Sequence, residues 1–534
     1  MRKVKKEDIF FYLILIAYVI YAALFIYKSS FRAAGERYFV LFDDAMVSMR
    51  YAKNFAQGYG LVWNPGGDRI EGYTNPLWVL YMSLFHLLPI PASKISLFIQ
   101  ISGAVFLIAN LFIVRKISHL LTDDTLVALM SILLTAFYAP LNNWSLLGME
   151  VSVLILITSL SAWISLNAVR KGRFSLWLYM LLGVSTLIRI DMAIIYIVIL
   201  VFMIIADSDN RRQNILWGLG ILTLFIFGQT IFRSWYYGSP VPNTYYLKME
   251  GYSIYYRITH GLYVLFLFGW DFNWVLFFLP FTILLFRRDQ SVWLLFLIFW
   301  AQIGYSVYVG GDAWEHKGGS NRYISIVMPL FFILFVYTLS FIRDVLISKI
   351  QRDSKWVYRF ANLVLILFTV ASLVNFNTLI DFNSLNRWIL TMNPEFVRGN
   401  QHYVNIALDL KQITTPDARI AVVSAGSIPY FSERVAIDLL GKSDAVIAHQ
   451  KPHNPSEVTN LEVFRPGHMK WDYDYSIGDL DPDVIVQLWL DKGEAKKYLM
   501  SEYKTGGIGG NGNWDFYLRA DSEYILWDRV EFKP

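Results

Sequence analysis

Two adjacent carboxylates, Asp43 and Asp44, stand out because they closely follow a long apolar segment. A carboxylate beside a membrane surface can act as a general base that removes the proton from an acceptor hydroxyl. Two neighbouring carboxylates also repel each other, which raises the pKa of one of them and suits that role. The alternative is structural, since either aspartate could cap a helix that runs through Arg50. The residues alone leave both interpretations open.

Cationic side chains further along the chain have the chemistry to bind an anionic group such as a phosphate. Arg189 interrupts an apolar stretch, where a charge is costly unless it lies at the interface or faces a polar cavity. The alternative is an ion pair between Arg189 and Asp191 that ends two helices. Arg322, Arg233 and Lys248 are further candidate phosphate ligands. For Arg322, interfacial snorkelling is an equally good explanation.

A third set of residues has the chemistry to bind sugar hydroxyls or sugar faces. These candidate sugar- or acceptor-binding residues are Glu71, Tyr73, Asn75, Glu150, Asp191, Tyr245, Asp312 and His468. Helix capping explains Glu71 and Glu150 equally well, and an interfacial aromatic belt explains Tyr245. His468 could also bind a metal with His449 and His453, but the chain has no HExxH pattern, so no metal site is predicted.

The composition indicates a membrane protein. Of 534 residues, 55% are hydrophobic and only 17% are charged, whereas a soluble domain usually has about 25% charged residues. The net charge of +5 is too small and too scattered for a nucleic-acid-binding surface. The absence of cysteine excludes disulfides, cysteine nucleophiles and thiolate metal sites.

Apolar segments long enough to cross a bilayer, about 20 residues each, recur along the chain. The sequence predicts about eleven such helices, at residues 9–27, 95–114, 123–140, 151–168, 174–188, 190–206, 214–232, 270–286, 291–308, 324–342 and 357–375. Segment 76–88 is shorter and bracketed by prolines, which favours a helix along the membrane interface. The predicted fold class is therefore an α-helical polytopic membrane protein.

Basic residues set the predicted orientation, because they concentrate in loops on the inner side of a membrane. With the N-terminus inside, the inner loops carry the clusters Arg115–Lys116, Arg170–Lys171–Arg173, Arg211–Arg212, Arg287–Arg288 and 343–359. Segment 32–69 is basic too but falls outside, so this rule supports the topology without proving it. The large first loop, residues 28–94, and the residues after the last predicted helix then lie on the outer side.

Two domains are predicted. Residues 1–380 form a transmembrane catalytic domain that includes the loop 28–94, and residues 381–534 form a soluble, extracytoplasmic α/β domain. Within the second domain, 419–424 and 484–488 are predicted strands, and the alternation over 514–529 predicts a hairpin. The glycine-rich run 505–513 lacks the strand and helix of a dinucleotide site, so a flexible turn is predicted.

The first-loop sequence FDDAMVSMRYAKNFAQGYGLVWNPGGDRIEGYTNPLW resembles the opening loop of bacterial GT-C glycosyltransferases. The resemblance is to the actinobacterial terminal arabinofuranosyltransferase family and its uncharacterised relatives. Further matches follow in order along most of the chain: GME at 148–150, LIRID at 187–191, YYG at 236–238, PNT at 242–244, GGD at 310–312 with Arg322, IDLLG at 437–441 and PGH at 466–468.

The resemblance implies an inverting transferase that takes a sugar from a polyprenyl phosphate and passes it to an acceptor outside the membrane. Its general base would be the acidic residue of the first outer loop, here Asp43 or Asp44, with Asp44 favoured. Arabinofuranose is the sugar that this family suggests, and a cell-envelope glycan, lipid or protein is the acceptor. The expected location is the bacterial inner membrane. The lipid-linked donor is a substrate, and neither a cofactor nor a metal is expected.

A transporter or flippase of lipid-linked saccharides is the alternative from another functional class. Transporters usually contain internal repeats and broken, polar segments at the membrane midplane. This chain has no evident repeat, and its ionisable residues concentrate at one predicted surface. These features favour an enzyme.

Overall fold

The computed structural model describes residues 6–313, 321–349, 355–378, 383–453, 464–490, 492–508 and 515–532. The predicted domain boundary near residue 380 lies outside the described residues, as do Trp514, residues 509–513 of the predicted glycine-rich turn, and residues 314–320 before Arg322. The basic residues at positions 2–5 and those within 350–354 also lie outside them.

The described chain is mostly helical. Its α-helices are α1 (Lys6–Ser29), α2 (Asp43–Ala56), α3 (Pro76–His86), α4 (Ala92–Leu121), α5 (Thr125–Ala136), α6 (Ala139–Leu146), α7 (Val151–Lys171), α8 (Leu176–Ile188), α9 (Ala193–Ala206), α10 (Arg211–Tyr237), α11 (Asn243–Met249), α12 (Ile254–Phe272), α13 (Trp274–Phe278), α14 (Gln290–Val309), α15 (Arg322–Ser325), α16 (Met328–Lys349), α17 (Lys355–Thr378), α18 (Ser384–Trp388), α19 (Val397–Ile413), α20 (Ser427–Ser432), α21 (Ala445–His449) and α22 (Lys492–Glu502). Short 3₁₀ helices cover Ile190–Met192, Leu279–Leu285 and Trp527–Arg529, and a π-helix covers Asp474–Asp479.

Seven helices of the described part are long and apolar enough to cross a membrane, and the number rises to nine if each of two bent pairs is one span. The seven are α1, α4, α7, α10, α14, α16 and α17, and two shorter apolar helices cover Leu176–Ile188 and Ile190–Ala206. These helices overlap the predicted segments, so the prediction of a polytopic helical protein is confirmed.

The bent pairs differ from the predicted spans. The prediction of a continuous span over 123–140 is wrong because α5 ends at Ala136 and α6 continues at 53°, with Pro140 in its first turn, where proline is tolerated. The predicted span 270–286 is replaced by the longer α12, after which the chain turns by 103°. Asn273 makes that turn with a positive φ of 73° and caps α13 through its side chain.

Contacts divide the chain into two compact units. The helical unit contains Met1–Lys28, Gln100–Gly228 and Arg257–Glu395. The second unit contains Ser29–Ile99, Gln229–Tyr256 and Phe396–Pro534, so the first predicted outer loop and the C-terminal residues belong to the same unit.

The second unit contains two sheets. The hairpin of β1 (Phe31–Ala33) and β2 (Glu36–Tyr38) is antiparallel. The larger sheet has six strands, β3 (Arg419–Val422), β4 (Val435–Asp438), β5 (Val484–Ile485), β6 (Tyr503–Gly507), β7 (Phe516–Arg519) and β8 (Glu531–Phe532), in the order β4-β3-β5-β7-β6-β8. β3 is parallel to β4 and β5, whereas β7 is antiparallel to β5 and β6. Apolar side chains including Ala421, Ile437, Leu439 and Tyr473 form its core.

The strands predicted at 419–424 and 484–488 are confirmed as β3 and the shorter β5. The prediction of a hairpin within 514–529 is wrong, because β7 pairs with the preceding strand β6. The residues that follow β7 form a turn and the 3₁₀ helix Trp527–Arg529 instead. The alternation of apolar and polar residues over 514–529 therefore corresponds to a single strand, β7, in which more and less buried side chains alternate.

Candidate functional site

Helix α2 carries the two adjacent carboxylates in its first turn. The N-cap residue is Phe42, and no side chain caps the helix. The capping interpretation is therefore wrong, since Asp43 and Asp44 lie inside the helix and have partners elsewhere in the second unit. Negative charges in the first turn are still favourable, because the N-terminus of a helix carries partial positive charge.

Asp43 is fixed by backbone amides from a distant part of the sequence. Its Oδ1 accepts a hydrogen bond from the Ser427 N–H at 2.7 Å, and its Oδ2 accepts one from the Gly426 N–H at 3.3 Å. Burial raises the pKa of Asp43, an effect that the Ser427 N–H opposes and the neighbouring Asp44 charge reinforces. Both of its oxygens thus serve to attach α2 to the start of α20.

Asp44 forms an ion pair with Lys442, whose Nζ lies 2.7 Å from Asp44 Oδ1. The side chains of Lys442 and Asp44 are 24% and 22% exposed, respectively. Asp44 is therefore ion-paired and still accessible to a small molecule. Among the adjacent carboxylates, it has the better position to exchange a proton with a substrate.

His468 and Lys248 add to the surroundings of this ion pair. Burial lowers the pKa of His468 to about 4, with further lowering by Lys442 and Lys248 and an opposing influence of Asp44. The imidazole is accordingly neutral at pH 7. Gly467, with φ +81°, allows Lys248 to pass close by, because an added Cβ would lie 3.2 Å from Lys248 Cε. Within the described residues Lys248 forms no ion pair.

Glu71 and Arg233 form a second ion pair in the same unit. Arg233 Nε lies 2.8 Å from Glu71 Oε2, and both side chains are buried. Arg233 Nη1 also donates to Gln229 Oε1 at 3.0 Å. Burial raises the pKa of Glu71 to about 7 against the lowering influence of Arg233. The predicted phosphate ligand Arg233 thus already has a carboxylate and an amide as partners.

Of the other predicted sugar- or acceptor-binding residues in this unit, Tyr73 and Asn75 are buried, whereas Tyr245 is exposed. The hydroxyl groups of Tyr73 and Tyr237 lie 2.6 Å apart, and Asn75 Oδ1 accepts a hydrogen bond from Ser48 Oγ at 2.9 Å. Tyr73 and Asn75 are buried and stabilise the first loop from within. Tyr245 is 47% exposed, so its ring is accessible to a ligand.

The helical unit gathers the other predicted residues. Arg189 Nη1 lies 3.0 Å from Glu150 Oε1, and Arg189 Nε lies 2.9 Å from Asp191 Oδ1. The ion pair with Asp191 that the sequence offered as an alternative is therefore present, with Glu150 as an additional partner. Glu150 is the N-cap residue of α7, but its side chain makes no capping hydrogen bond to that helix.

Arg322 lies close to the same group. Its Nε is 3.0 Å from Asp312 Oδ2, and its guanidinium and that of Arg189 lie 5.8 Å and 5.1 Å from the centre of the Tyr323 ring. Both arginines and all three carboxylates, Glu150, Asp191 and Asp312, are buried. Phosphate binding by either arginine stays a prediction, and it would have to compete with these carboxylates.

The histidines of the C-terminal region have ordinary partners. His449 Nδ1 lies 2.9 Å from Glu250 Oε2, and His453 stacks on Trp471 with ring centres 3.8 Å apart. No group of three or more His, Asp or Glu side chains that could hold a metal ion occurs in the described part of the chain.

Sequence reasoning missed Lys442, the partner of Asp44. The two residues are 398 positions apart, so no local pattern connects them. The only signal was its place directly after IDLLG, one of the stretches that carries the family resemblance. A lysine that follows a matched stretch is weak evidence on its own.

The fold, in which several apolar helices are combined with a C-terminal α/β region, is similar to that of solved membrane-protein structures. The oligosaccharyltransferase AglB of Archaeoglobus fulgidus, in complex with an inhibitory peptide and a dolichol-phosphate, is similar with a TM-score of 0.53 and 11% identity over 96% of this chain and 74% of that chain. An Archaeoglobus fulgidus oligosaccharyltransferase in the apo form gives a TM-score of 0.57 and 11% identity over 98% of this chain and 76% of that chain. ArnT of Cupriavidus metallidurans bound to undecaprenyl phosphate gives 0.56 and 13% over 95% and 98%.

Residues 394–527 match a family described as a domain of unknown function, DUF8728. This match covers the C-terminal α/β region and adds no activity to it. No curated protein matches the chain.

Gly426 provides a test of how Asp43 is held. A Cβ at this position would lie 2.1 Å from the Asp43 backbone oxygen and 2.8 Å from Asp43 Oδ1. We expect Gly426→Ala to push the start of α20 away from the first turn of α2 and to lower the free energy of unfolding by about 1–3 kcal/mol. Thermal unfolding of the detergent-solubilised protein measures the effect.

Gly399→Ala is the matched control for Gly426→Ala. Gly399 lies in α19 with no atom within 4 Å of its added Cβ, so alanine there should leave stability unchanged or raise it by up to about 1 kcal/mol. Equal stability of the two variants would contradict the close contact between Gly426 and Asp43.

Proposed function

We propose that the chain is an inverting glycosyltransferase that moves a sugar from a polyprenyl-phosphate donor to an extracytoplasmic glycan, lipid or protein acceptor. The observation that carries the proposal is the accessible Asp44 carboxylate, which pairs with Lys442 at 2.7 Å and neighbours His468. The GT-C fold supports it over the transporter alternative, because the similar solved structures include a named oligosaccharyltransferase.

The proposed reaction is a single displacement. Asp44 takes the proton of the acceptor hydroxyl as that oxygen attacks the anomeric carbon of the donor sugar. The bond between this carbon and the phosphate oxygen breaks, and the polyprenyl phosphate leaves with the electron pair. Attack opposite the leaving group inverts the anomeric configuration. One carboxylate is sufficient for this chemistry, and its proton is released to solvent afterwards.

Asp44 is the better base of the two aspartates. Both Asp43 oxygens accept backbone N–H groups, so using Asp43 as a base would disrupt the contact with α20. Lys442 favours the ionised form of Asp44, which is the form that accepts a proton. Asp43 is assigned the supporting role of holding the first turn of α2 in place.

Lys248 is the best-placed ligand for the donor phosphate among the predicted cations. Arg189, Arg322 and Arg233 each have at least one carboxylate partner within 3.0 Å. Removing a buried carboxylate from its partner is expensive. Lys248 has no ion pair within the described residues and neighbours His468, so a phosphate could supply its counter-ion.

The narrower parts of the proposal rest on the resemblance of the first loop. We assign polyprenyl-phosphoryl arabinofuranose as the first donor to test, and a cell-envelope acceptor in a bacterial inner membrane. The exposed Tyr245 ring and the neutral His468 imidazole are candidate contacts for sugar or acceptor. The proposed chemistry uses side chains alone, without a metal or cofactor.

Substitution of the base is the first test. We expect Asp44→Asn to lower kcat by about 100-fold or more, because general-base catalysis typically contributes 10²–10⁴-fold. Donor binding should persist, since the amide has the same shape. The measurement is release of polyprenyl phosphate from polyprenyl-phosphoryl arabinofuranose, and from a panel of other polyprenyl-phosphoryl sugars, by protein in liposomes.

Asp43→Asn is the paired variant. The amide keeps an acceptor at only one of the two oxygen positions, and its NH₂ group would face the other backbone N–H. A loss of stability together with a smaller loss of kcat is therefore expected. Full activity of both variants would eliminate the assignment of either aspartate as base.

A second test concerns the phosphate ligand. We expect Lys248→Met to weaken inhibition by the product polyprenyl phosphate about 10- to 100-fold, because a charge-assisted hydrogen bond contributes about 1.5–3 kcal/mol. Lys451→Met is the control, since Lys451 is an exposed lysine of the same unit. Unchanged inhibition of Lys248→Met would remove Lys248 from the donor site.

A further inference from the structure

The ion pair with Asp44 depends on the turn that presents Lys442. Residues 438–444, here named the Lys442 turn, connect β4 to α21. Asp438 organises the turn from within, because its carboxylate accepts the N–H groups of Leu440 at 3.0 Å and Ser443 at 2.7 Å. Gly441 has a φ of +76°, and a Cβ there would lie 2.9 Å from the Ala448 nitrogen. The turn thus has one defined backbone path.

Asn243 holds this turn from outside. It is the first residue of α11 and is buried. Its Nδ2 lies within hydrogen-bond distance of three carbonyl oxygens, 2.9 Å from Gly441, 3.1 Å from Lys442 and 3.1 Å from Asp444. One amide group therefore contacts the backbone on both sides of Lys442.

Asn243 also connects the Lys442 turn to the first loop. Its backbone N–H donates a hydrogen bond to the backbone carbonyl oxygen of Glu71 at 3.1 Å. Gly72, the next residue, packs against the turn so closely that an added Cβ would lie 2.9 Å from the Lys442 oxygen. The turn is consequently held between Asn243 and the first loop, which is continuous in sequence with α2 and Asp44.

The chemistry of the contact requires a side-chain N–H₂ group. Three carbonyl oxygens converge on one atom, so that atom has to be a donor. A carboxylate of the same shape would repel them, and a shorter side chain would not reach. The amide has two hydrogens for three acceptors, and one hydrogen is therefore shared.

We propose that Asn243 is a positioning residue that holds the Lys442 turn so that the Lys442 ammonium stays beside Asp44. This inference rests on the proposed function, in which Asp44 is the base. It assigns a role to the PNT stretch at 242–244, which the resemblance singled out and the mechanism had not used.

The charged neighbours of Asp44 predict how the loss of Asn243 would show. Asp43 is adjacent to it on the same helix, Lys442 forms the ion pair from the turn, and His468, which is neutral at pH 7, lies close by with Lys248 beside it. If the Lys442 ammonium moves away, Asp43 is the remaining charged neighbour on α2 and favours protonation of Asp44. A protonated carboxyl cannot act as a base, and the effect is confined to low pH.

The experiment is a pH–rate profile of the Asn243→Ala enzyme in liposomes with saturating polyprenyl-phosphoryl sugar. The acid limb of kcat is expected to move to higher pH by about one unit or more, so kcat falls about tenfold at the low end of the profile and recovers at the high end. The donor KM should stay unchanged. A loss of kcat that is equal at all pH values would overturn the proposal, because it would indicate a structural role.

Thr244→Val is the matched control. Thr244 is the adjacent buried residue, and within the described residues its hydroxyl has no hydrogen-bond partner, so its removal should leave the profile in place. A shift as large as that of Asn243→Ala would overturn the proposal. Asn243→Ser provides a second variant, should the alanine variant not fold, because its side chain stays polar but is too short to reach the three carbonyl oxygens; the same shift of the acid limb is expected.

A double-variant comparison shows whether Asn243 acts through Lys442. Lys442→Met should shift the same acid limb, and the variant with both substitutions should shift it no further, because coupled residues are not additive. Additive shifts would overturn the proposal.

The Asp44→Asn enzyme separates the two levels of inference. Full activity of Asp44→Asn would discard the base assignment itself. An inactive Asp44→Asn together with an unmoved acid limb in Asn243→Ala would discard only the role of Asn243.

Discussion

Two negative charges in one helical turn require partners, and the structure supplies them from the far end of the chain. Asp43 accepts the backbone N–H groups of Gly426 and Ser427, and Asp44 pairs with Lys442. These contacts connect residues 383 to 398 positions apart. The first loop and the C-terminal α/β region therefore fold as one unit, and the accessible carboxylate exists only in that folded context. The proposed chemistry depends on this constraint.

The other buried charges are used differently. In the helical unit Arg189 pairs with Glu150 and Asp191, and in the second unit Arg233 pairs with Glu71. Breaking a buried pair by removing one partner costs about 3–5 kcal/mol, so such arginines are poor candidates for binding a substrate that comes and goes. Lys248 is partly exposed and forms no ion pair within the described residues. We therefore assign Arg189 and Arg233 to the support of the fold and propose Lys248 as the cation that binds the donor phosphate.

The sequence predicted those features that depend on local patterns. Apolar length predicted the helices, and the apolar run that became β3 predicted a strand, because burial determines both locally. The aspartate pair was found by residue type and by the resemblance of its loop. The ion pair of Lys442 with Asp44 and the hydrogen bonds of Asn243 to the Lys442 turn were not predicted. The residues in these contacts are 398 and about 200 positions apart, so they leave no periodic signal in the sequence. The predicted span 270–286 and the predicted hairpin within 514–529 were wrong for the same reason. The bend at Asn273 and the pairing of β7 with β6 are set by tertiary packing.

We propose that donor and acceptor meet Asp44 on the outer face of the membrane, and labelling of a single cysteine tests this location most directly. The chain has no cysteine, and Tyr59, in the loop after α2, is 56% exposed. Tyr59→Cys should react with a membrane-impermeant maleimide in intact cells, whereas Arg173→Cys, in a loop predicted to lie inside, should react only after permeabilisation. Labelling of Tyr59→Cys only after permeabilisation would place α2 and its aspartates on the cytoplasmic side and contradict the account.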